Sequence, residues 1–335
     1  MDTTPDQRGR NGHQLWIALI PLVIGGFLLL SYVLWSAYRD VWAEAGQIAS
    51  SQSGLLEARF EATLRRIDAT LDELAERLPK EALVAAAAPR YRAAIEKDLA
   101  RQQRAFPEVA GFRVVDASGR VLYLSGGGDY VNLADRPYFQ LLQKAGGTEL
   151  QFSDVVTSRI TGRPSIAAAR AVWSSDGKFV GMVSAAIELA YFEQLFDAVR
   201  LGSAGALAIR RSDTHTLVVR RPAAPAEINR RLEPKHPVYQ RVMAGERVGV
   251  LEFAAQADGV TRLYGYRVLE NYPFYVLVGF SEADVMAFWR QRALIVGGLG
   301  TALLASMLYV LFVMFQAQRR ERAAGLRQRC RAAGV

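Results

Sequence analysis

Cysteine is nearly missing from this chain: Cys330, close to the C-terminal end, is alone among 335 residues. A single thiol closes no loop, so a disulfide framework within the chain is excluded. A stretch free of cysteine suits an oxidising compartment without demanding one. Histidine is almost as rare. His13, His215 and His236 are scattered, which supplies no metal-ligand spacing, and neither a metal nor another cofactor is expected. Catalytic signatures are missing too. There is no Gly-x-Ser-x-Gly elbow, and Gly126-Gly127-Gly128 lacks the lysine and the strand-to-helix setting of a nucleotide loop. With no acid/base pair or activated nucleophile, the chain reads as a non-enzyme.

Charge is missing from two long runs, Leu15–Tyr38 and Ala293–Gln318. At ~1.5 Å per residue each can cross a ~30 Å hydrocarbon core as a helix. Trp16, Trp35, Tyr38, Phe288 and Trp289 lie near the span ends, where interfacial aromatics are favoured. The first run is longer than the apolar part of a cleaved signal peptide and lacks a small-x-small site after it. The net charge is +8, and the tail after Gln318 carries six arginines against Glu321 alone. Basic charge beside an apolar run sets membrane orientation, so nucleic acid is not the expected partner. With Arg8, Arg10 and His13 before the first span, the positive-inside rule puts both termini in the cytoplasm and residues 39–292 outside. In a Gram-negative cell that is a two-pass inner-membrane protein with a periplasmic region. Gly297, Gly298, Gly300 and Ala302 would allow close helix packing.

Between the spans, Leu56, Phe60, Leu64, Ile67, Leu71, Leu74 and Leu78 recur at helical spacing and form one apolar stripe. Pro79 ends that helix. The stripe suits a dimer seam near the membrane together with packing on the chain's own sheet. Arg90–Arg104 reads as a second helix. The period then drops to two. Val109–Asp116, Arg120–Ser125, Leu150–Ser158, Ser165–Ser174 and Phe179–Glu188 read as a five-stranded antiparallel sheet, with a helix at Arg136–Lys144. A second, smaller unit repeats the order of hairpin, helix and three strands: Ala206–Arg211, Thr216–Arg220, His236–Ala244, Val248–Ala254, Thr261–Leu269 and Phe274–Phe280.

Chemistry is densest at Asp135-Arg136-Pro137-Tyr138-Phe139 and at Ser158–Ile166. A guanidinium fork takes a carboxylate through two parallel hydrogen bonds, and Arg136 is placed to do so. Tyr138 or Tyr123 would add a hydroxyl while the ring closes a pocket. Arg159, Arg163 and Arg170 are further basic candidates. Alternation puts Ser165, Ala167 and Ala169 on one face and Ile166, Ala168 and Arg170 on the other. The alanines leave room above the sheet for a small ligand. Read structurally instead, Asp135 caps the helix that starts at Arg136, Arg136 pairs with Asp135 or Asp154, and Tyr138 and Phe139 are core.

At these residues the chain resembles the double Cache sensor family. The pieces are Asn132–Phe139, Ser158–Arg163, Gly181–Ile187 and Tyr272–Gly279 leading into a membrane helix. The resemblance covers Asp40–Trp289. It implies an α+β fold: a long N-terminal helix with two PAS-like antiparallel-sheet modules, flanked by two transmembrane helices. The implied organisation is a cytoplasmic 1–14, a span at 15–38, stalk and long helices at 39–108, a membrane-distal module at 109–200, a membrane-proximal module at 201–285, a span at 293–318 and a basic tail at 319–335. It further implies a small-molecule ligand, often a carboxylate or amino acid, in a distal pocket near Tyr123, Arg136, Tyr138, Phe139, Arg170 and Ser184. The Asp-centred pattern of the amino-acid binders is not evident.

The function that follows is that of a homodimeric membrane sensor, the input region of a diguanylate cyclase or histidine kinase type receptor. Its cytoplasmic output domain would be missing from the chain or supplied by a partner. The alternative is a membrane-anchored protein-interaction module with no small ligand.

Overall fold

The structure, a computed structural model, describes residues 10–197, 199 and 201–332. Arg8 lies outside them, as do the side chains of Arg10, His13, Trp16, Phe288, Arg319 and the arginines from Arg322 onward. The chain divides into two compact units, Gly46–Glu282 and the flanking segments Met1–Ala45 with Ala283–Val335.

The first unit begins on helix α1 (Arg10–Arg77). The stripe read from the sequence is its buried face: Leu56, Phe60, Leu64, Ile67, Leu71, Leu74 and Leu78 are all buried. They pack in one core with Leu207, Ile209, Phe274 and Val276 as well as Phe112, Val114, Ile166 and Val183. That stripe is therefore used inside the chain and is not free to form a dimer seam. Pro79 follows, and α2 (Ala88–Ala105) runs back over the sheet with Pro89 in its first turn.

The first sheet contains β1 (Val109–Asp116) and β2 (Val121–Leu124), then α3 (Pro137–Ala145). Four strands follow: β3 (Gln151–Phe152), β4 (Val156–Thr157), β5 (Pro164–Trp173) and β6 (Phe179–Glu188). The order is β2-β1-β6-β5-β3, with β4 also on β5. Leu150–Ser158, read as one strand, is thus two short ones. Ser153 sits at the break: its amide still donates to the Ala167 carbonyl at 2.9 Å, but the Ala167 amide bonds the Ser153 Oγ at 2.9 Å, which in turn donates to the Asp154 carbonyl at 2.6 Å. Helix α4 (Leu189–Asp197), which the sequence reading lacked, buries Phe192 and Phe196 and leads to the second sheet.

That sheet holds β7 (Ala206–Arg211), β8 (Leu217–Arg221), helix α5 (Pro237–Met243), β9 (Val248–Ala254), β10 (Thr261–Val268) and β11 (Phe274–Ser281). Its order is β8-β7-β11-β10-β9, and all five strands fall within a residue or so of the sequence reading. Helix α1 lies so close to β10 that a Cβ on Gly265 would stand 2.4 Å from the Ala49 backbone. Only glycine permits that approach.

In the second unit, α6 (Glu282–Ala332) continues from β11. Among the described residues, Glu282–Met314 is the one helix long and apolar enough to cross a membrane. Leu15–Tyr38 is helical as part of α1, which continues through Pro21. Tyr38 meets Trp289 edge to face at 5.9 Å. Gly300 faces Leu30, where a Cβ would clash at 2.6 Å, whereas Gly297 and Gly298 face open space. Of the glycines read as packing residues, Gly300 is the one that packs.

Candidate functional site

Both faces of the first sheet are covered, and strand alternation sorts their chemistry. Ile166, Ala168 and Val172 face α1; Ala167, Ala169 and Ala171 face α3. The alanines keep the α3 side shallow. A small cavity of about 20 Å³ lies there, with Arg113, Arg136, Tyr138, Ser158, Arg159 and Ser165 among its lining residues. That volume holds about one water, so a ligand enters only when the rim opens.

Arg113 is the centre of this site, and the sequence reading did not single it out. It sits on β1 between Phe112 and Val114, which turn toward α1, so its side chain must point to the α3 side. It is 7% exposed. Its guanidinium donates to Ser158 Oγ at a long 3.4 Å, and among the described residues no carboxylate pairs with it. Burial pushes it below its ordinary pKa, an effect partly opposed by Tyr138. A buried cation without a counter-charge is costly, and an anion placed beside it would recover much of that cost. The available signal was an arginine at the middle of a strand whose other residues, up to the terminal Asp116, are apolar.

Tyr138, on the first turn of α3, lines the same cavity. Burial raises its phenol, and the nearby Arg113 charge draws it partly back, so it stays a proton donor at neutral pH. Ser158 Oγ accepts from the amides of Ile160 and Thr161 at 3.3 and 3.2 Å, which fixes the hairpin loop beneath Arg113. Arg136 donates to the Thr157 carbonyl at 3.1 Å. Ser184 on β6 is paired in register with Arg113 and Ala169. It therefore faces the same side, and its buried Oγ has no partner among the described residues.

The rim is closed by an ion pair. Arg159 donates to Asp135 through two parallel bonds of 2.8 and 2.6 Å, and also to the Asn132 carbonyl. These bonds hold the Asp135 carboxyl below its usual range. Asp135 is consequently not the helix cap. The cap position falls on Arg136, which makes no side-chain capping bond because a guanidinium has no acceptor for the helix amides; the Asp135 carboxylate is taken by Arg159.

The remaining expected site residues lie elsewhere. Phe139 packs in the small core under α3, edge to face with Phe179. Tyr123 is buried on the α1 side and donates to the Ala82 carbonyl at 2.7 Å. Arg170 also faces α1, bridging Asp68 at 2.7 Å and Asp72 at 3.0 Å. The structure thus brings Arg136, Tyr138 and Ser184 to the α3 face around Arg113, and places Tyr123 and Arg170 behind the sheet.

Known proteins share this plan. The Cache domain model dCache_1 matches residues 35–288. Among solved structures, an extracellular domain described as that of histidine kinase rpHK1S-Z16 superposes with a TM-score of 0.62 at 22% identity, covering 73% of this chain and 98% of that one. The ligand-binding domain of Pseudomonas fluorescens chemoreceptor CtaA, held with L-isoleucine, gives 0.53 at 13%, covering 75% and 98%. That of Campylobacter jejuni chemoreceptor Tlp3, held with L-valine, gives 0.50 at 11%, covering 74% and 97%. These identities establish a shared fold. No curated protein matches. A helix carrying two antiparallel sheets, matched over most of its length by that family model, makes this chain a member of the Cache domain family.

Proposed function

We propose that this protein is the sensing part of a membrane receptor, and that the cavity under α3 takes a small organic carboxylate. The observation that carries the reading is Arg113, a buried guanidinium with no carboxylate partner among the described residues, on the same face as the Tyr138 phenol and the Ser184 hydroxyl, which has no partner among them either. A carboxylate there would receive the Arg113 fork and the Tyr138 hydroxyl. Among the described residues no acidic side chain lines the cavity, and Asp135 at its rim is already paired with Arg159, so an ammonium group would lack a partner, which favours a plain organic acid over an amino acid. The amino-acid complexes of the chemoreceptor relatives support a small-ligand role for this fold.

In this reading Leu15–Tyr38 and the apolar part of α6 cross the inner membrane, both termini are cytoplasmic, and Gly46–Glu282 is periplasmic. The chain works as a homodimer and acts on a cytoplasmic output domain by binding, not catalysis. A ligand shifts such a receptor only by its difference in affinity for the two signalling states. Closing the Asp135–Arg159 rim over a bound acid supplies that difference.

The test is a thermal-shift screen of the purified protein against small carboxylates and amino acids. A ligand at 100 times its Kd adds about 2.7 kcal/mol, a clear rise in midpoint. Arg113→Gln should abolish the rise while keeping the fold. A carboxylate response undiminished in Arg113→Gln would refute the site, and a response to amino acids alone would refute the ligand class.

A further inference from the structure

The second sheet repeats the arrangement of the first. In the first sheet Arg113 on β1 stands opposite Ser184 on β6. In the second, Arg210 on β7 stands opposite Tyr275 on β11. Each pair sits on corresponding neighbouring strands, on the face turned toward the short helix and away from α1. Arg210 is 9% exposed and Tyr275 fully buried. Arg210 donates only to the carbonyls of His215 and Arg230, at 3.0 and 3.3 Å. Among the described residues it has no ion pair; Glu227, whose charge reaches it, is bonded to Arg230. The Tyr275 hydroxyl has no partner among the described residues.

Both groups line a cavity of about 40 Å³, twice that under α3. Leu217, Leu232, Val238 and Phe253 form its apolar wall, and no carboxylate residue lines it. His236 also lines it. Burial and the Arg210 charge lower its pKa to about 4, so it is neutral at pH 7. Its Nδ1 accepts from the Val238 amide at 3.3 Å, which leaves Nε2 as the protonated nitrogen.

We propose that this cavity is a second anion site, holding a short monocarboxylate such as propionate. The carboxylate pairs with Arg210 and accepts from the Tyr275 hydroxyl, which burial keeps protonated, while the alkyl group lies on the leucine and valine wall. The acid is short because the cavity is small and its lid is tied down: Asp258, in the loop after β9, bonds both Arg220 and Arg262. This site does not rest on the reading of the cavity under α3.

The test uses the purified full-length protein and carboxyl-labelled propionate, followed by NMR titration. Wild type should bind saturably. The decisive titration is run in Arg113→Gln, in which the cavity under α3 no longer contributes: this variant should still bind saturably, and adding Tyr275→Phe should weaken that binding about tenfold or more, as expected for one lost charge-assisted hydrogen bond. Tyr275→Phe removes a hydroxyl that has no partner among the described residues, so the unliganded variant should melt no lower than wild type. Arg210→Gln, where it folds, should show the same loss. Absence of saturable binding in Arg113→Gln, or binding in Arg113→Gln that survives the added Tyr275→Phe, overturns the proposal.

Discussion

The two sheets carry the same arginine-opposite-hydroxyl pair but close over it differently. The rim of the first site is a single pair at the surface, Arg159 and Asp135, with side chains 40% and 61% exposed. The lid of the second is Asp258, 28% exposed, held between Arg220 and Arg262, whose side chains are only 7% and 2% exposed. Water competes for both partners of the first pair but only for the carboxylate of the second. A surface pair opens at little cost, whereas breaking a buried one leaves uncompensated charge. The first pocket is therefore built to open, and the second to stay shut around something small.

The largest effect should come from Asp258→Asn, which strands two buried guanidinium groups. The expected loss is about 3 kcal/mol of stability, measured by urea denaturation at pH 7. Burial pushes the Asp258 carboxyl up, but the Arg262 and Arg220 hydrogen bonds outweigh it and hold the group well below its ordinary 3.8. A lowered folded-state pKa stabilises above the unfolded value and is lost as pH falls past it. The gap between wild type and Asp258→Asn should therefore be full at pH 7 and shrink below about pH 4. A gap that widens in acid would show that the lid is held by something else.

A smaller loss, about 2 kcal/mol, is expected for Arg170→Met, which removes the bridge to Asp68 and Asp72. Because Arg170 lies behind the sheet, ligand response should be unchanged. A variant that keeps its midpoint but loses the response would return Arg170 to the pocket. The smallest stability effect belongs to Asp135→Asn, whose thermal midpoint should match wild type. Its consequence should be kinetic: with the rim unlatched, stopped-flow measurements should show faster ligand release. Unchanged release would remove the Asp135–Arg159 pair from the gating of the site.

Much of the fold was legible because it depends on local period. The stripe from Leu56 to Leu78 is the buried face of α1, and the alternation at Ser165–Arg170 correctly separates the two faces of β5. The site was legible only in part. Arg136, Tyr138 and Ser184 reach the α3 face, but Arg113 carries no motif, and its importance appears only when the groups around it can be counted. Asp135 looked like a cap because a short polar side chain before Pro137 commonly is one. Its partner, Arg159, lies 24 residues away.

What the sequence determined by itself is most of the elements, all but α4 and the break between β3 and β4, together with their order and which residues share a face. Burial of apolar side chains at periods of 3.6 and 2 is a local property of the chain. What tertiary structure decided is which face meets α1 and which meets α3, and hence that Arg170 is an ion-pair partner while Arg113 is a buried cation with no carboxylate partner among the described residues. Arg170 and Asp68 are 102 residues apart. Pairing across that distance is set by how helix and sheet stack, and the charge left unpaired follows from every partner that stacking does not supply.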